Sequence, residues 1–252
     1  RAEVCTSWPS RSTSMRRAPS GHSSSSSGRR VDGARSATMN CSTSRAPAPP
    51  SRGAVATAAL GFDARDAGAT AALVSLAESA LPGGLAGVVV AFAAMPDQEE
   101  VERDGAAGLA MIDVNVRSTM ALLEAAAALL ETRPGSFLCA FSSVAGDRGR
   151  RKNYAYGATK AALSTAMEGL SARLAPKGVT VLCVKPGPAD SALTWGLFPS
   201  SSPLLARPET VARDVLSALS RNRSVVYTPW FWRPIMAVLR ALPATLFRRL
   251  PI

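Results

Sequence analysis

An α/β fold built on a parallel sheet is what this sequence predicts, and three observations predict it. Short, uninterrupted apolar runs recur at Gly87–Phe92, Ser136–Phe141 and Val179–Val184, as strands buried on both faces require. The stretches between them carry Ala, Leu and Met at helical spacing. A length of 252 residues suits one such domain with a sizeable core.

Residues 1–53 stand apart. They hold fourteen Ser and show no period of 2 or 3.6, so neither a strand nor an amphipathic helix is expected there. They also carry nine Arg against two acids, +7 of the chain's net +11. The high pI is therefore chiefly theirs, and a nucleic-acid partner is not expected of the remainder. On composition, a disordered Ser/Arg tail and an organelle transit peptide both fit the segment.

Order is expected from Val55. Ala54–Asp66 reads as a strand leaving into a loop, followed by a helix over Ala67–Ala80 and a turn at Pro82–Gly84. After the Gly87–Phe92 strand, Leu109, Ile112, Val116, Met120, Leu123, Ala127 and Leu130 form one apolar stripe at spacings of three and four. Asn115 lies beside that stripe, and Arg133-Pro134-Gly135 ends the helix. Beyond the second strand, the loop Asp147–Asn153 holds Arg148, Arg150, Arg151 and Lys152; such a charge run predicts a solvated loop. A helix over Tyr156–Leu174 stops at Pro176-Lys177-Gly178, and the third strand leads into a turn at Lys185–Gly187. Residues 195–207, with Trp195, Phe198 and several Ser and Pro, suit a mobile lid. Pro208 and Glu209 open another helix, and Ser224–Tyr227 reads as the last strand.

Some chemistries are excluded early. Cys139 and Cys183 sit in apolar runs, and Cys5 and Cys41 share no motif spacing with them, so buried thiols and a reducing compartment are expected. His22 is the only histidine, which argues against a Ser–His hydrolase or a His-based zinc site. No apolar run reaches the length of a spanning helix.

The remaining candidates gather in Phe141–Lys160. Tyr156 and Lys160 are four apart at the start of a helix, so they share a face and can meet. A nearby ammonium favours phenolate, which suits a Tyr that exchanges a proton with a substrate oxygen. Ser143 contributes a hydroxyl thirteen residues ahead of Tyr156.

With SSVAG at Ser142–Gly146, Tyr-x-x-x-Lys at Tyr156–Lys160 and Lys-Pro-Gly at Lys185–Gly187, the chain resembles the short-chain dehydrogenases/reductases. The resemblance implies a Rossmann-like, doubly wound parallel sheet and NADH or NADPH as cofactor. Ser143, Tyr156 and Lys160 would be catalytic, and Asn115 would hold a water of the proton relay. Lys160 would also hold the cofactor ribose. Ala91, Phe92, Ala93, Pro186, Gly187 and Ser191 would border the nucleotide. Homo-oligomers form in the family through helices corresponding to 107–131 and 156–174.

Relatives open with a βαβ unit whose glycine-rich turn cradles the pyrophosphate, yet no such Gly spacing occurs in residues 1–53. Because the segment stands in place of that unit, a first part read in a shifted frame of GC-rich coding sequence is the favoured expectation. The reductase domain is then 54–252. Its tail, residues 228–252, mixes Trp230, Phe231 and Trp232 with Arg233, Arg240, Arg248 and Arg249, a composition suited to a membrane surface or to packing on the core. VVYTPWFWRPIMAVLRALP and LPATLFRRLPI resemble the decaprenylphosphoryl-2-keto-erythropentose reductases. That subgroup implies a lipid-linked sugar substrate for cell-wall arabinan, a flavin-dependent oxidase as partner, and a cytoplasmic site at the membrane's inner face.

Overall fold

The computed structural model describes residues 62–81, 83–194, 197–199 and 202–250. The strand expected over Ala54–Asp66 lies largely outside them, as do Pro82, Trp195, His22, Cys5 and Cys41. Helix α1 spans Ala67–Ala80, and Asp66 caps it by accepting from the Gly68 and Ala69 amides. Strand β1 is Gly87–Val90. Helices α2 (Gln98–Arg103) and α3 (Gly105–Ile112) follow. A π-helical turn at Asp113–Ser118 joins α3 to α4, Thr119–Leu130.

Strand β2 is Phe137–Phe141 and α5 is Tyr154–Leu174, two residues longer at its start than the spacing predicts. Strand β3 runs Thr180–Pro186. Lys185 and Pro186 therefore belong to the strand, paired with Tyr227 and Thr228, and only Gly187 begins the expected turn. Helix α6 is Pro208–Ser220, with its Pro at the opening turn as expected. Strand β4 (Val225–Thr228) and two tail helices, α7 (Trp232–Ala241) and α8 (Ala244–Phe247), complete the chain.

The four strands form one parallel sheet in the order β1-β2-β3-β4. Alternate residues face opposite layers. Leu138, Ala140, Val181 and Cys183 pack with Val74 of α1, Leu122 and Ala126 of α4, and Leu163 and Met167 of α5. Cys139, Leu182 and Val184 face the other way, onto Val211, Val215 and Ala218 of α6. Helices thus cover both faces, the Rossmann-like arrangement. Cys139 and Cys183 are buried free thiols, as expected.

The apolar stripe is only half as expected. Leu123, Ala127 and Leu130 are fully buried, whereas Leu109 and Ile112 are exposed and Met111 is buried in their stead. The π-helical turn admits an extra residue, which rotates the face ahead of it relative to the face behind. Gly105–Leu130 is long and apolar enough to cross a membrane. Even so, Leu123, Ala126, Ala127 and Leu130 are core residues with no exposure.

Candidate active site

The carboxyl edge of β2 and the first turns of α5 bring Ser143, Tyr156 and Lys160 together. After β2 the chain makes a tight turn at Val144–Gly146, with Ser143 accepting from the Ala145 amide at 3.1 Å. That turn presses on α5. A Cβ on Gly146 would lie 2.7 Å from the backbone at Lys160 and Ala161, and one on Gly157 would lie 2.7 Å from Ala145 O. Two glycines inside the quoted motifs, to which motif reading gave no role, therefore set the approach of Ser143 to Tyr156. Each lies in a quoted motif, but the contact each makes with the other segment's backbone is tertiary and leaves no period in the sequence.

Ser142 does a different job from Ser143. Its hydroxyl is buried against Lys160 O at 2.8 Å and Ser164 Oγ at 2.8 Å, pinning α5 to the end of β2. Ser143 is the hydroxyl facing Tyr156.

Tyr156 is buried, and burial pushes its phenol up to about 12; the Ser143 hydroxyl and the Arg150 guanidinium pull the other way. This corrects the expectation that Lys160 supplies the favourable charge. The Lys160 ammonium instead donates to Phe141 O at 2.8 Å and lies 5.7 Å from the Tyr156 ring centre. At 3% exposure, burial lowers it from 10.5 to about 8.

Asn115 is the most committed of the candidates. Its amide donates to Ala94 O at 2.8 Å and to Thr159 Oγ1 at 3.1 Å, and its oxygen accepts from the Ala94 amide at 2.7 Å. Both N–H groups are thereby used, so the side chain clamps the strand exit to α5 and has no donor left for a water. Ala91, Phe92 and Ala93 lie on that clamped exit. Phe92 packs edge-on against Phe62, 5.7 Å between ring centres, so its side chain belongs to the core edge.

Pro186 ends β3 beside Ser143, whose Oγ reaches Pro186 O at 3.5 Å, and Gly187 follows in the turn. Ser191 opens the loop that follows, its amide held by Thr194 Oγ1 at 3.3 Å. That loop is closed at its neck by an Ala189–Ala206 bridge; the lid expected over residues 195–207 lies partly outside the described residues.

The basic loop is less solvated than its charge predicts. Arg148 donates to Arg240 O at 2.8 Å and lies over the Phe247 ring at 4.3 Å, docking the loop on α7 and α8. Asp147 holds Lys185 Nζ at 2.6 Å and accepts from Tyr227 OH at 2.7 Å. This brace ties the Ser143 loop to β3 and β4; Lys185 belongs to the Lys-Pro-Gly motif, but its pairing with Asp147 was not legible in the sequence.

Residues that could hold a nicotinamide nucleotide are present on this edge. Lys160 has two N–H donors beyond the one given to Phe141 O, with no acid beside it among the described residues. Small side chains at Ala91, Ala93 and Ala94 leave the strand exit open. A pyrophosphate cradle would fall in residues outside those described.

A family model described as enoyl-(acyl carrier protein) reductase matches residues 32–212, starting ahead of the boundary at 54 drawn from composition. An uncharacterised oxidoreductase of Mycobacterium tuberculosis is 39% identical over 200 residues, covering 79% of each chain. Another from Streptomyces coelicolor is 37% identical over 126 residues, 50% of this chain and 49% of its own length. Among solved structures, a short-chain dehydrogenase/reductase family protein superposes with a TM-score of 0.57 at 27% identity, covering 66% of this chain and 72% of that one. A short-chain dehydrogenase from Burkholderia cenocepacia J2315, solved with NADP, gives 0.63 at 23% identity, covering 77% and 80%. With the strand order and the Ser143, Tyr156 and Lys160 cluster already in view, these matches establish that the chain belongs to the short-chain dehydrogenase/reductase family of oxidoreductases.

Proposed function

We propose that residues 54–252 form an NAD(P)H-dependent reductase that converts a ketone to an alcohol, with Ser143, Tyr156 and Lys160 as its catalytic group. The observation that carries this reading is the buried Tyr156 phenol, held protonated beside a serine hydroxyl and two cationic side chains. Bound NAD(P)H supplies the hydride. Tyr156 donates its proton to the substrate oxygen as negative charge develops there, and Ser143 hydrogen-bonds the same oxygen. Lys160 directs its free donors toward ribose hydroxyls, and the Arg150 guanidinium favours the phenolate left behind. Asn115 serves the relay by fixing the strand exit at Ala94. Ala91, Phe92, Ala93, Pro186, Gly187 and Ser191 border the nucleotide.

The substrate in this proposal is the 2-keto group of a polyprenyl-phosphate pentofuranose, made by a flavin-dependent oxidase acting beforehand. The tail supports a lipid-linked substrate. Trp232 and Met236 anchor α7 in the core, while Trp230, Ile235, Val238, Leu246 and Leu250 face outward among Arg233, Arg248 and Arg249. Such a surface suits an anionic bilayer interface, with aromatics at headgroup depth, and supports a cytoplasmic enzyme peripheral at the membrane's inner face. Exposed Leu109 and Ile112 support a homo-oligomer through the helices at 107–131 and 156–174.

Product analysis tests the reading. With NADPH deuterated at its transferable position and a polyprenyl-phosphate 2-ketopentofuranose, deuterium is expected on C2 of the product. Reduction of a water-soluble ketone alone would assign a different substrate, and no transfer to either would overturn the reductase assignment.

A further inference from the structure

Ser143 stands just past the point where β2 and β3 stop sharing backbone hydrogen bonds. The last of these runs from the Ser142 amide to Val184 O at 2.8 Å. Two residues on, the next donor in the ladder would be Pro186, which has no N–H. What remains between the segments at that level is Ser143 Oγ to Pro186 O at 3.5 Å, at the far limit of a hydrogen bond. A proton so weakly engaged is free to turn to a substrate oxygen. By the same token, that contact does not fix where Ser143 stands. The turn that follows closes on itself, Gly146 N to Ser143 O at 3.0 Å and Asp147 N to Val144 O at 3.3 Å.

Asp147 ends that turn and supplies the missing anchor. One carboxylate oxygen accepts from Lys185 Nζ at 2.6 Å and the other from Tyr227 OH at 2.7 Å. The pair is enclosed, with side-chain exposures of 2% for Asp147 and 13% for Lys185. Enclosing two charges costs desolvation that an apolar pair would avoid, and the best-attested role of such pairs is to fix register. Lys185 immediately precedes Pro186, so the ion pair and the Ser143–Pro186 contact join the same two segments. We propose that Asp147, acting through Lys185, is a positioning residue that sets the Ser143 hydroxyl against the carbonyl oxygen of the substrate. The proposal rests on the reductase reading and deepens it.

The test is a double-mutant cycle on single-turnover reduction at saturating deuterated NADPH, with product mass analysis to keep slow variants measurable. The substrate is the polyprenyl-phosphate 2-ketopentofuranose, or a water-soluble ketone if the wild type reduces only that. Lys185→Met alone strands the Asp147 carboxylate and mixes folding with chemistry. Lys185→Met combined with Asp147→Asn removes the ion pair without leaving a lone charge, and urea titration verifies its fold. This double variant is expected to reduce substrate about tenfold more slowly than the wild type, with NADPH bound as tightly. In a Ser143→Ala background the same two changes are expected to slow reduction by no more than about twofold, because the residue being positioned is gone. An equal loss in both backgrounds makes the brace a support of the whole site and overturns the proposal. So does no loss in either, or a Ser143→Ala chain as fast as the wild type; all three leave the reductase reading standing. If the wild type reduces neither ketone, both readings fall.

Discussion

Lys160→Met should abolish turnover and yet remove a pH dependence of stability that the wild type carries. In the folded chain the Lys160 ammonium is buried against Phe141 O with no carboxylate beside it, and its pKa falls from 10.5 to about 8. The unfolded chain binds a proton more readily than the folded one across that interval, so stability rises with pH through it. The gain is complete above the unfolded value of 10.5 and is lost as pH drops through about 8. At ~1.4 kcal/mol per pH unit, the interval corresponds to about 3 kcal/mol. Other groups titrate there too, so the informative quantity is the difference between wild type and variant. Urea unfolding of both proteins at the two ends of the interval should show the wild type gaining about 3 kcal/mol relative to Lys160→Met. A separate pH-independent loss of about 1 kcal/mol, from Phe141 O losing its donor, is expected in the variant. Parallel pH profiles for the two proteins would refute the reasoning.

Two further changes probe the frame around the site. Lys185→Met leaves the Asp147 carboxylate, 2% exposed, with only Tyr227 as partner, and should lower stability by about 3–5 kcal/mol; adding Asp147→Asn should recover most of that in the same urea titration. Asn115→Ala removes both hydrogen bonds to the Ala94 backbone, which should cost about 2–3 kcal/mol and markedly speed hydrogen exchange of the Ala94 amide.

Much of this architecture is legible in the chain because its strands are buried on both faces. Val88–Val90, Leu138–Phe141 and Val181–Val184 read as continuous apolar runs, and the sheet uses them as such. Tyr156 and Lys160 were legible because a fixed helical spacing puts them on one face. What stayed hidden depends on contacts between distant residues. The π-helical turn that buries Asn115 and turns Leu109 outward alters the period itself. The close backbone approaches at Gly146 and Gly157 bring a loop onto a helix, and no spacing along the chain announces them. Burial, which raises Tyr156 and lowers Lys160, likewise follows from packing, so the charge pattern alone assigned the phenol's cationic neighbour to Lys160 and overlooked Arg150. The Lys185–Asp147–Tyr227 brace joins residues 38 and 80 positions apart, beyond the reach of any local motif.

The central claim is that Tyr156 is the proton donor of a nicotinamide-dependent reductase. Tyr156→Phe keeps the ring that packs against Ala145 and Met111 and removes only the hydroxyl. With nucleotide affinity measured alongside, carbonyl reduction by this variant should fall by about three orders of magnitude while NADPH binds as in the wild type. Near-normal reduction by Tyr156→Phe would contradict the account.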